Sequence, residues 1–268
     1  MSATSATVAL ARVDDPSAYR LTMARVIRSE WIKLRSVRST VATFGFAGVA
    51  VAAFGVLVSM LSSGGGLEGD PAGDSLFGVM IAQLVLGVLG ALLFTSEYST
   101  GMIRATLTAV PKRLPVLWAK AVVVAGATFA TMVAAVSVAF FAGQALYGGD
   151  GVGASLFDPG VPRILVGAAV FPTAIAVMGL ALGVLMRHTA TAVGVLVGML
   201  FVVPVLLESL GGVWADLSAY LPSEAGEAMI TLVKDSAELS PLTGFVVMVG
   251  WVGAFLAGAA FVLRRRDA

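Results

Sequence analysis

The sequence predicts an all-α membrane protein with six transmembrane helices, and three observations lead to this fold class. Of the 268 residues, 58% are hydrophobic and 12% are charged, whereas soluble domains average about 45–50% and about 25%. Six apolar stretches each approach the ~20 residues that an α-helix needs to cross the hydrocarbon core. Lys and Arg concentrate in alternate loops, as they do when successive helices cross a membrane in opposite directions.

The chain before the first apolar stretch divides into two parts. Residues 1–18 are small and polar and are predicted to form a flexible cytoplasmic tail. Residues 19–40 are predicted to form an amphipathic helix, because apolar side chains recur at spacings of four, four and three residues. These apolar positions are Met23, Ile27, Trp31 and Leu34, and bases lie off their face at Arg25, Arg28, Lys33 and Arg35. A face with Trp beside bases favours a helix in the membrane interface; a solvated helix that only supplies charge is the alternative.

The membrane domain is predicted to occupy residues 41–263, followed by a basic cytoplasmic tail, residues 264–268. Its six predicted spans are Val41–Leu61, Ser75–Phe94, Ala119–Ala142, Ile164–Met186, Ala190–Leu207 and Pro241–Leu263. Pro172 and Pro204 lie inside the fourth and fifth spans and should bend them. Residues 208–240 are too polar to span. They are predicted to form a re-entrant or surface helical segment on the outer face, with an irregular loop as the alternative.

The distribution of bases predicts the orientation of the spans. Fifteen of the seventeen Lys and Arg residues lie in residues 1–40, in residues 95–120, in the turn after the fourth span, or at the C-terminus. Only Arg163 and Lys234 lie on the other side. Because Lys and Arg near span ends stay on the cytoplasmic side, both termini are predicted to be cytoplasmic.

The residue patterns that mark enzymes and ion-coupled transporters are missing. No G-x-x-x-x-G-K-[ST] phosphate-binding motif occurs. There is no Cys and one His, His188, whereas metal sites and His-based triads need several partners. No acid lies inside a predicted span, which argues against proton or sodium coupling. The net charge of +1 gives no reason to expect nucleic acid as a partner. Whether Gln83 and Gln144, in or near spans, line a pathway stays open.

Residues 95–120 form the longest polar interruption on the predicted cytoplasmic side. A short amphipathic helix is predicted here, with one apolar face at Met102, Ile103, Thr106, Leu107 and Val110. Pro111 should end it. Bases are predicted to face the cytoplasm at Arg104, Lys112 and Arg113, and Glu97 could pair with one of them. Such a helix suits the docking of a peripheral protein. An inert loop that only fixes topology is the equal alternative.

Two small-residue motifs predict close helix contacts. Gly179-x-x-x-Gly183 lies in the fourth predicted span and Gly194-x-x-x-Gly198 in the fifth. Small residues at this spacing let helix backbones approach each other in membranes. The sequence favours packing within the chain at both sites, with contact between two copies as the alternative.

Three strings carry a family resemblance. They are EWIKLRSVRST at residues 30–40, EYSTGMIRATL at residues 97–107 and PKRLP at residues 111–115. They resemble the permease subunits of ABC-2 type transporters, and are most similar to the six-span versions of high-GC Gram-positive bacteria. The resemblance extends to span number, the N-terminal amphipathic helix, the polar loop after the second span and the long loop before the sixth.

The resemblance implies an assembly and roles for particular residues. Two permease subunits, identical or paralogous, would form the membrane half of an exporter, and two copies of an ABC ATPase subunit would dock below it. ATP and Mg would bind to that ATPase, and no cofactor to this chain. Residues 19–38 would be the connecting helix, in contact with lipid. Residues 100–110 would be the coupling helix, and the implied ATPase-coupling residues are Glu97, Tyr98, Ser99, Thr100, Gly101, Met102, Ile103, Arg104, Lys112 and Arg113. The implied interfacial residues are Met23, Ile27, Trp31, Leu34 and Arg35.

The predicted function is therefore that of a non-enzymatic permease subunit in the plasma membrane of a bacterium. It would move a lipid-like, peptide or drug-like substrate out of the cytoplasm or inner leaflet, with energy from the separate ATPase. The alternative is a membrane scaffold or sensor that recruits a cytoplasmic partner without transport. An intramembrane enzyme is disfavoured, because the spans hold no paired acids, Ser–His pair or metal-binding set.

Overall fold

A computed structural model describes residues 22–64, 70–102, 113–147, 153–232 and 239–265. Throughout these ranges the regular structure is helical, without a strand, so the predicted fold class is confirmed. Six helices are long and apolar enough to cross a membrane, and we call them spans one to six. Their bounds are Arg38–Ser63, Pro71–Ser99, Arg113–Tyr147, Val161–Met186, Thr189–Leu210 and Pro241–Arg265.

All six spans extend beyond the apolar stretches that predicted them. Span three is the clearest case, since it begins at Arg113, six residues before the predicted start, and runs to Tyr147. Its 35 residues make a helix of about 52 Å, against a hydrocarbon core of about 30 Å. Hydropathy marks only the part of a helix that lies in hydrocarbon, whereas backbone hydrogen bonding continues into the polar ends.

The N-terminal helix spans Met23–Ser36 and is followed at once by span one. The Thr22 hydroxyl accepts a hydrogen bond from the Arg25 backbone N–H, at 3.4 Å, and caps the first turn. Val37 is extended, with φ −87° and ψ 108°, and separates the two helices. This break lets the N-terminal helix leave the axis of span one and pack against span three.

The face that the N-terminal helix packs against the bundle is not the apolar face that was predicted to lie in the membrane interface. Its buried residues are Val26, Glu30 and Leu34. Of the predicted apolar positions, only Leu34 is buried; Ile27 is half-buried, and Met23 and Trp31 stay exposed. Arg35 is also exposed, and its guanidinium lies 5.9 Å from the Trp31 ring. The face against the bundle includes an acid because Glu30 forms an ion pair with Lys120 of span three.

The tightest helix contact in the fold joins spans two and four. A Cβ atom on Gly179 would collide with the backbone carbonyl oxygen of Gly87, and one on Gly90 would collide with that of Ala176. At Gly183 the same atom would lie 2.7 Å from the Ala91 carbonyl oxygen. The Gly179 motif therefore packs within the chain, as predicted. At Gly194 and Gly198 no atom lies within 4 Å of the added Cβ, so the second motif has no partner helix among the described residues.

The two intramembrane prolines have different local structures. Span four is one continuous α-helix through Pro172. Span five contains a π-helical turn, Gly198–Val202, immediately before Pro204. Proline has no backbone N–H to donate. The residue before Pro204, Val203, donates its N–H to the Gly198 carbonyl oxygen, five residues back, rather than four as in an α-helix. A π-turn of this kind changes the direction of the side chains along the helix.

Two short helices, Val213–Ser218 and Pro222–Ile230, lie between spans five and six. The second is buried against spans four and six. The Arg163 guanidinium donates hydrogen bonds to the carbonyl oxygens of Met229, at 3.3 Å, and Thr231, at 2.8 Å, at the end of this helix. The Trp251 indole N–H donates to the Tyr220 carbonyl oxygen, at 2.8 Å. Two helices joined by a short turn thus replace an irregular loop over residues 213–230, and their position on the outer face stays a prediction.

A candidate functional site at the basic end of the bundle

Lys and Arg side chains gather where one set of helix ends meets. The start of span five is joined to the end of span two by a hydrogen bond of 2.8 Å from the Thr189 hydroxyl to the Thr95 hydroxyl. The start of span three is joined to the end of span six by Arg113, which donates to the Leu263 carbonyl oxygen at 3.4 Å. We call this the basic end. The stretch 95–120 begins and ends here.

Four charged side chains form a closed cluster at the basic end. Lys120 Nζ lies 2.7 Å from Glu30 Oε2 and 2.8 Å from Glu97 Oε1. Lys33 Nζ lies 2.7 Å from Glu30 Oε1 and 3.4 Å from Glu97 Oε1. Each base therefore contacts both acids. We call Glu30, Lys33, Glu97 and Lys120 the four-charge cluster.

Three of these four charges are buried. The side chains of Glu30, Glu97 and Lys120 are 4%, 3% and 7% exposed, and only Lys33, at 33%, reaches the surface. Removing a charge from water costs several kcal/mol unless a partner of opposite sign compensates. Two acids and two bases give the cluster no net charge, so every buried charge is compensated inside it.

The environment shifts the pKa values on the N-terminal helix in opposite directions. Burial alone would raise the pKa of Glu30, but the charges and hydrogen bonds of Lys120 and Lys33 outweigh it and hold this pKa below the ordinary 4.5. Burial alone would lower the pKa of Lys33, but Glu30 and Glu97 outweigh it and raise this pKa above the ordinary 10.5. Both groups are therefore ionised at neutral pH.

We expect the N-terminal helix to stay attached between pH 4.5 and pH 10.5. A lowered acid pKa gives a stabilisation that is complete above 4.5 and is lost as pH falls through the folded-state value. A raised base pKa gives one that is complete below 10.5 and is lost as pH rises through the folded-state value. Hydrogen exchange of residues 26–34, corrected for the intrinsic rate, should show equal protection at pH 5.5 and pH 9. Loss of protection at either pH would contradict this.

Glu97 has one carboxylate oxygen in the cluster and one outside it. Oε1 accepts hydrogen bonds from both Lys33 and Lys120. Oε2 is buried, and no hydrogen-bond partner reaches it from the described ranges. A cavity of about 70 Å³ adjoins the cluster, and its polar lining comes from Ser96 and the four charged residues themselves. Glu97 thus keeps spare hydrogen-bonding capacity beside an open volume.

The residues after Glu97 end span two and turn outward. The Tyr98 ring lies 5.6 Å from the Phe94 ring and 5.3 Å from the Arg187 guanidinium, which holds it against the bundle. The Thr100 hydroxyl donates to the Ser96 carbonyl oxygen at 2.7 Å. Gly101 has φ +72°, a left-handed conformation that glycine adopts without strain and that commonly ends helices.

The structure places some of the predicted coupling residues and not others. Glu97 is buried and Tyr98 half-buried, and the next four are exposed at the end of span two: Ser99, Thr100, Gly101 and Met102. Arg113 lies at the start of span three. Ile103, Arg104 and Lys112, and most of the predicted coupling helix, lie outside the described residues. The described partners of Glu97 are Lys33 and Lys120, which the sequence analysis did not anticipate.

The sequence left open whether Gln83 and Gln144 line a pathway. In the structure Gln83 is buried and Gln144 is half-buried. Gln144 donates to the Pro71 carbonyl oxygen at 2.7 Å and to the Ser75 hydroxyl at 3.0 Å. Its side-chain oxygen accepts from the Ala154 N–H at 2.7 Å. Gln144 therefore ties the start of span two and the segment before span four to span three at the opposite end. Gln83 is 1% exposed.

Metal chemistry finds no support in the part of the chain that the structure describes. Within those residues, no three His, Cys, Asp or Glu side chains come close enough together to hold a metal ion. What the basic end offers is a set of helix ends fixed to one another by buried charges, and a polar stretch that leaves from them.

Comparison with known proteins agrees with this architecture. A protein-family model described as "ABC-2 family transporter protein" matches residues 26–205. The match begins in the N-terminal helix, includes all four cluster residues and extends into span five. No curated protein matches the chain at a significant level. Because the family match covers well over half of the chain, this protein, a six-span membrane protein, belongs to the ABC-2 family of transporter proteins.

Proposed function

We propose that this chain is the permease subunit of an ATP-driven exporter and moves a lipid-like, peptide or drug-like substrate out of the cytoplasm or inner leaflet. Family membership makes the chain a membrane transport component. The observation that carries the finer proposal is the arrangement of the stretch 95–120. Its first residues, at Glu97, and its last, at Lys120, are fixed to each other by a buried ion pair of 2.8 Å, and residues 99–102, which follow Glu97, are exposed.

A separate ATPase is the proposed energy source, in two copies that bind ATP and Mg. The residues proposed to contact it are Glu97, Tyr98, Ser99, Thr100, Gly101, Met102, Ile103, Arg104, Lys112 and Arg113. The support is that Ser99–Met102 are exposed and follow directly on a rigid anchor. A force applied to residues 99–102 would act on the end of span two, which the ion pair between Glu97 and Lys120 joins to span three.

A second permease subunit, identical or paralogous, is the proposed membrane partner. Span five supports it, because Gly194 and Gly198 have open space around them, and a transporter needs a second half to enclose a pathway between the leaflets. Small residues at this spacing allow close contact between helices in membranes.

The proposed location is the plasma membrane of a bacterium, with the basic end and both termini in the cytoplasm. The distribution of Lys and Arg supports this orientation. The N-terminal helix would then lie at the inner membrane surface. Its exposed side chains Met23, Trp31 and Ile32 would contact lipid, and Arg35 would face the headgroups.

Replacement of Gly101 tests the proposed coupling. Proline cannot adopt φ +72°, so Gly101→Pro should redirect the stretch and weaken ATPase docking by about tenfold or more. Arg104→Glu should weaken it through charge. The measurements are co-purification of the ATPase subunit and basal ATP hydrolysis of the complex in nanodiscs. Gly101→Asn is the matched control, because Asn tolerates the left-handed region, and it should behave like the wild type.

Two results together would contradict the proposal. One is that no ATPase subunit co-purifies with the wild-type chain. The other is that Gly101→Pro and Arg104→Glu leave hydrolysis unchanged. A scaffold or sensor would give this pattern, and would show no vectorial movement of a substrate in proteoliposomes.

A further inference from the structure

Three segments that are distant in sequence meet at a single ammonium group. Lys120, in the second turn of span three, contacts Glu30 on the N-terminal helix at 2.7 Å and Glu97 at the end of span two at 2.8 Å. We propose that Lys120 is a positioning residue, and that the four-charge cluster is the joint that makes the N-terminal helix move together with both flanks of the stretch 95–120.

The contact between the N-terminal helix and the bundle is centred on this joint. Val26, Glu30 and Leu34 are the buried residues of that helix, at one-turn spacing, so Glu30 lies in the middle of the buried face. Val26 and Leu34 make apolar contacts, which are not directional and so allow the helix to slide or rotate against the bundle. Glu30, held by two ion pairs of 2.7 Å, is the group that fixes the position of the helix along and around its axis.

The cluster also lies at both ends of the polar stretch. Glu97 is one helical turn before the left-handed Gly101. Lys120 is two turns after Arg113, where span three begins. A displacement of residues 99–102 or of Arg113 therefore acts within about two helical turns of these two side chains, and Glu30 is connected to the same ammonium.

Sharing of atoms makes the joint cooperative. Lys33 and Lys120 both contact Glu97 Oε1, and both contact Glu30. If span two or span three moved alone, Glu97 or Lys120 would lose both of its partners, which is strongly unfavourable in a low-dielectric site. If the N-terminal helix moved alone, the ion pairs of Glu30 with Lys120 and of Lys33 with Glu97 would break, and each acid would keep one base. Oε2 of Glu97 has no partner in the described ranges, and a cavity of about 70 Å³ adjoins the cluster. Lys33 or Lys120 can therefore shift from Oε1 to Oε2 of Glu97 and still keep its ion pair with that residue. The three segments can therefore move together without breaking the cluster.

The joint deepens the proposed function and rests on it, because the force is assumed to come from an ATPase bound to the stretch 95–120. Whether the cluster fixes the position of the N-terminal helix can be measured without the ATPase. The chain has no Cys, so spin labels can be attached at Ser29→Cys and Val138→Cys, which are both exposed. Val138 lies about 27 Å along span three from Lys120, and Ser29 is next to Glu30, which contacts Lys120. The two labels are therefore separated by a distance suited to pulsed electron paramagnetic resonance.

In lipid nanodiscs the wild-type chain should give a single narrow distance distribution between the two labels. Lys120→Met should broaden it about twofold or more, because the N-terminal helix loses its fixed position. Lys120→Arg should restore the narrow distribution, since a guanidinium can bind both carboxylates. Arg28→Gln is the matched control: it removes an exposed base from the same helix and should change nothing.

A milder variant covers the case in which Lys120→Met does not fold. Glu30→Gln keeps the size of the side chain and removes one charge, and should broaden the distribution by itself. If Glu30→Gln and any folded Lys120→Met protein both keep the wild-type distribution, apolar contacts alone hold the helix and the joint is wrong.

A second measurement uses the complex with its ATPase subunit, with and without ATP and Mg. The mean label distance should shift with nucleotide in the wild type and in Lys120→Arg, and the shift should be lost in Glu30→Gln. A shift of equal size in Glu30→Gln would overturn the joint and leave the proposed function standing. No shift in the wild-type complex would overturn the proposed coupling, while the first measurement would still decide whether Lys120 fixes the helix.

Discussion

Gly179→Ala is expected to prevent this protein from folding, whereas Gly194→Ala is expected to leave it intact. Both glycines begin a small-residue motif in the middle of a span, and sequence alone does not separate them. In the structure, a Cβ on Gly179 would collide with the Gly87 carbonyl oxygen of span two. A backbone atom cannot move aside as a flexible side chain can, so spans two and four must separate. We expect a loss of about 3 kcal/mol or more.

Gly194→Ala, the control, should be neutral or slightly stabilising. Nothing lies within 4 Å of a Cβ on Gly194, so Ala adds no clash. It also gains about 1 kcal/mol of helix propensity over Gly. Thermal unfolding in mild detergent and the yield of monodisperse protein measure both variants. Equal stability of Gly179→Ala and Gly194→Ala would show that spans two and four do not pack as described. A Gly194→Ala variant that folds but loses its dimer would support span five as the subunit contact.

Hydropathy was sufficient to predict the number and order of the spans, because it records the one property that a hydrocarbon core selects. It was insufficient for their ends. The first turns of span three, from Arg113 to Trp118, are helical, although the prediction assigned them to the polar stretch that contains Arg113 and Pro115. The sequence likewise identified both glycine motifs but could not tell which one had a partner helix.

The buried face of the N-terminal helix likewise depends on contacts that the local sequence pattern does not contain. Periodicity selected Met23, Ile27, Trp31 and Leu34 as one apolar face, and it gave no position to Glu30. Burial of Glu30 depends on Lys120, 90 positions later in the chain, and no local pattern contains that information. The sequence identified Glu97 through the family resemblance, but not the two bases that hold it.

One signal in the sequence did point to the missing residue. Lys120 lies inside the predicted third span, next to its first residue, Ala119, and was counted only as a charge that fixes topology. An ionisable side chain within a membrane span is costly and is usually paired and functional. A search for a partner on other segments would have led to the two buried acids, Glu30 and Glu97.

Loss of Lys120 should have the second large effect on this protein. Lys120→Met leaves Glu30 and Glu97 buried, at 4% and 2% exposure, with Lys33 as their only remaining base in the described cluster. Removal of one partner from a buried ion-pair network typically costs about 3–5 kcal/mol. Arg28→Met, which removes an exposed charge from the N-terminal helix, should change stability by no more than about 0.5 kcal/mol. Chemical unfolding in mixed micelles measures both.

Replacement of the whole cluster should be much less damaging than the loss of Lys120 alone. In the variant Glu30→Leu, Lys33→Met, Glu97→Leu and Lys120→Met no charge is left without a partner, and apolar side chains of similar size fill the site. Such exchanges of buried ion pairs are often neutral or stabilising, so we expect a free energy of unfolding within about 1–2 kcal/mol of the wild type. If this variant is as unstable as Lys120→Met, the ion pairs themselves stabilise the fold. If it is stable and yet its N-terminal helix no longer follows the nucleotide state of the complex, the charges serve to position the helix.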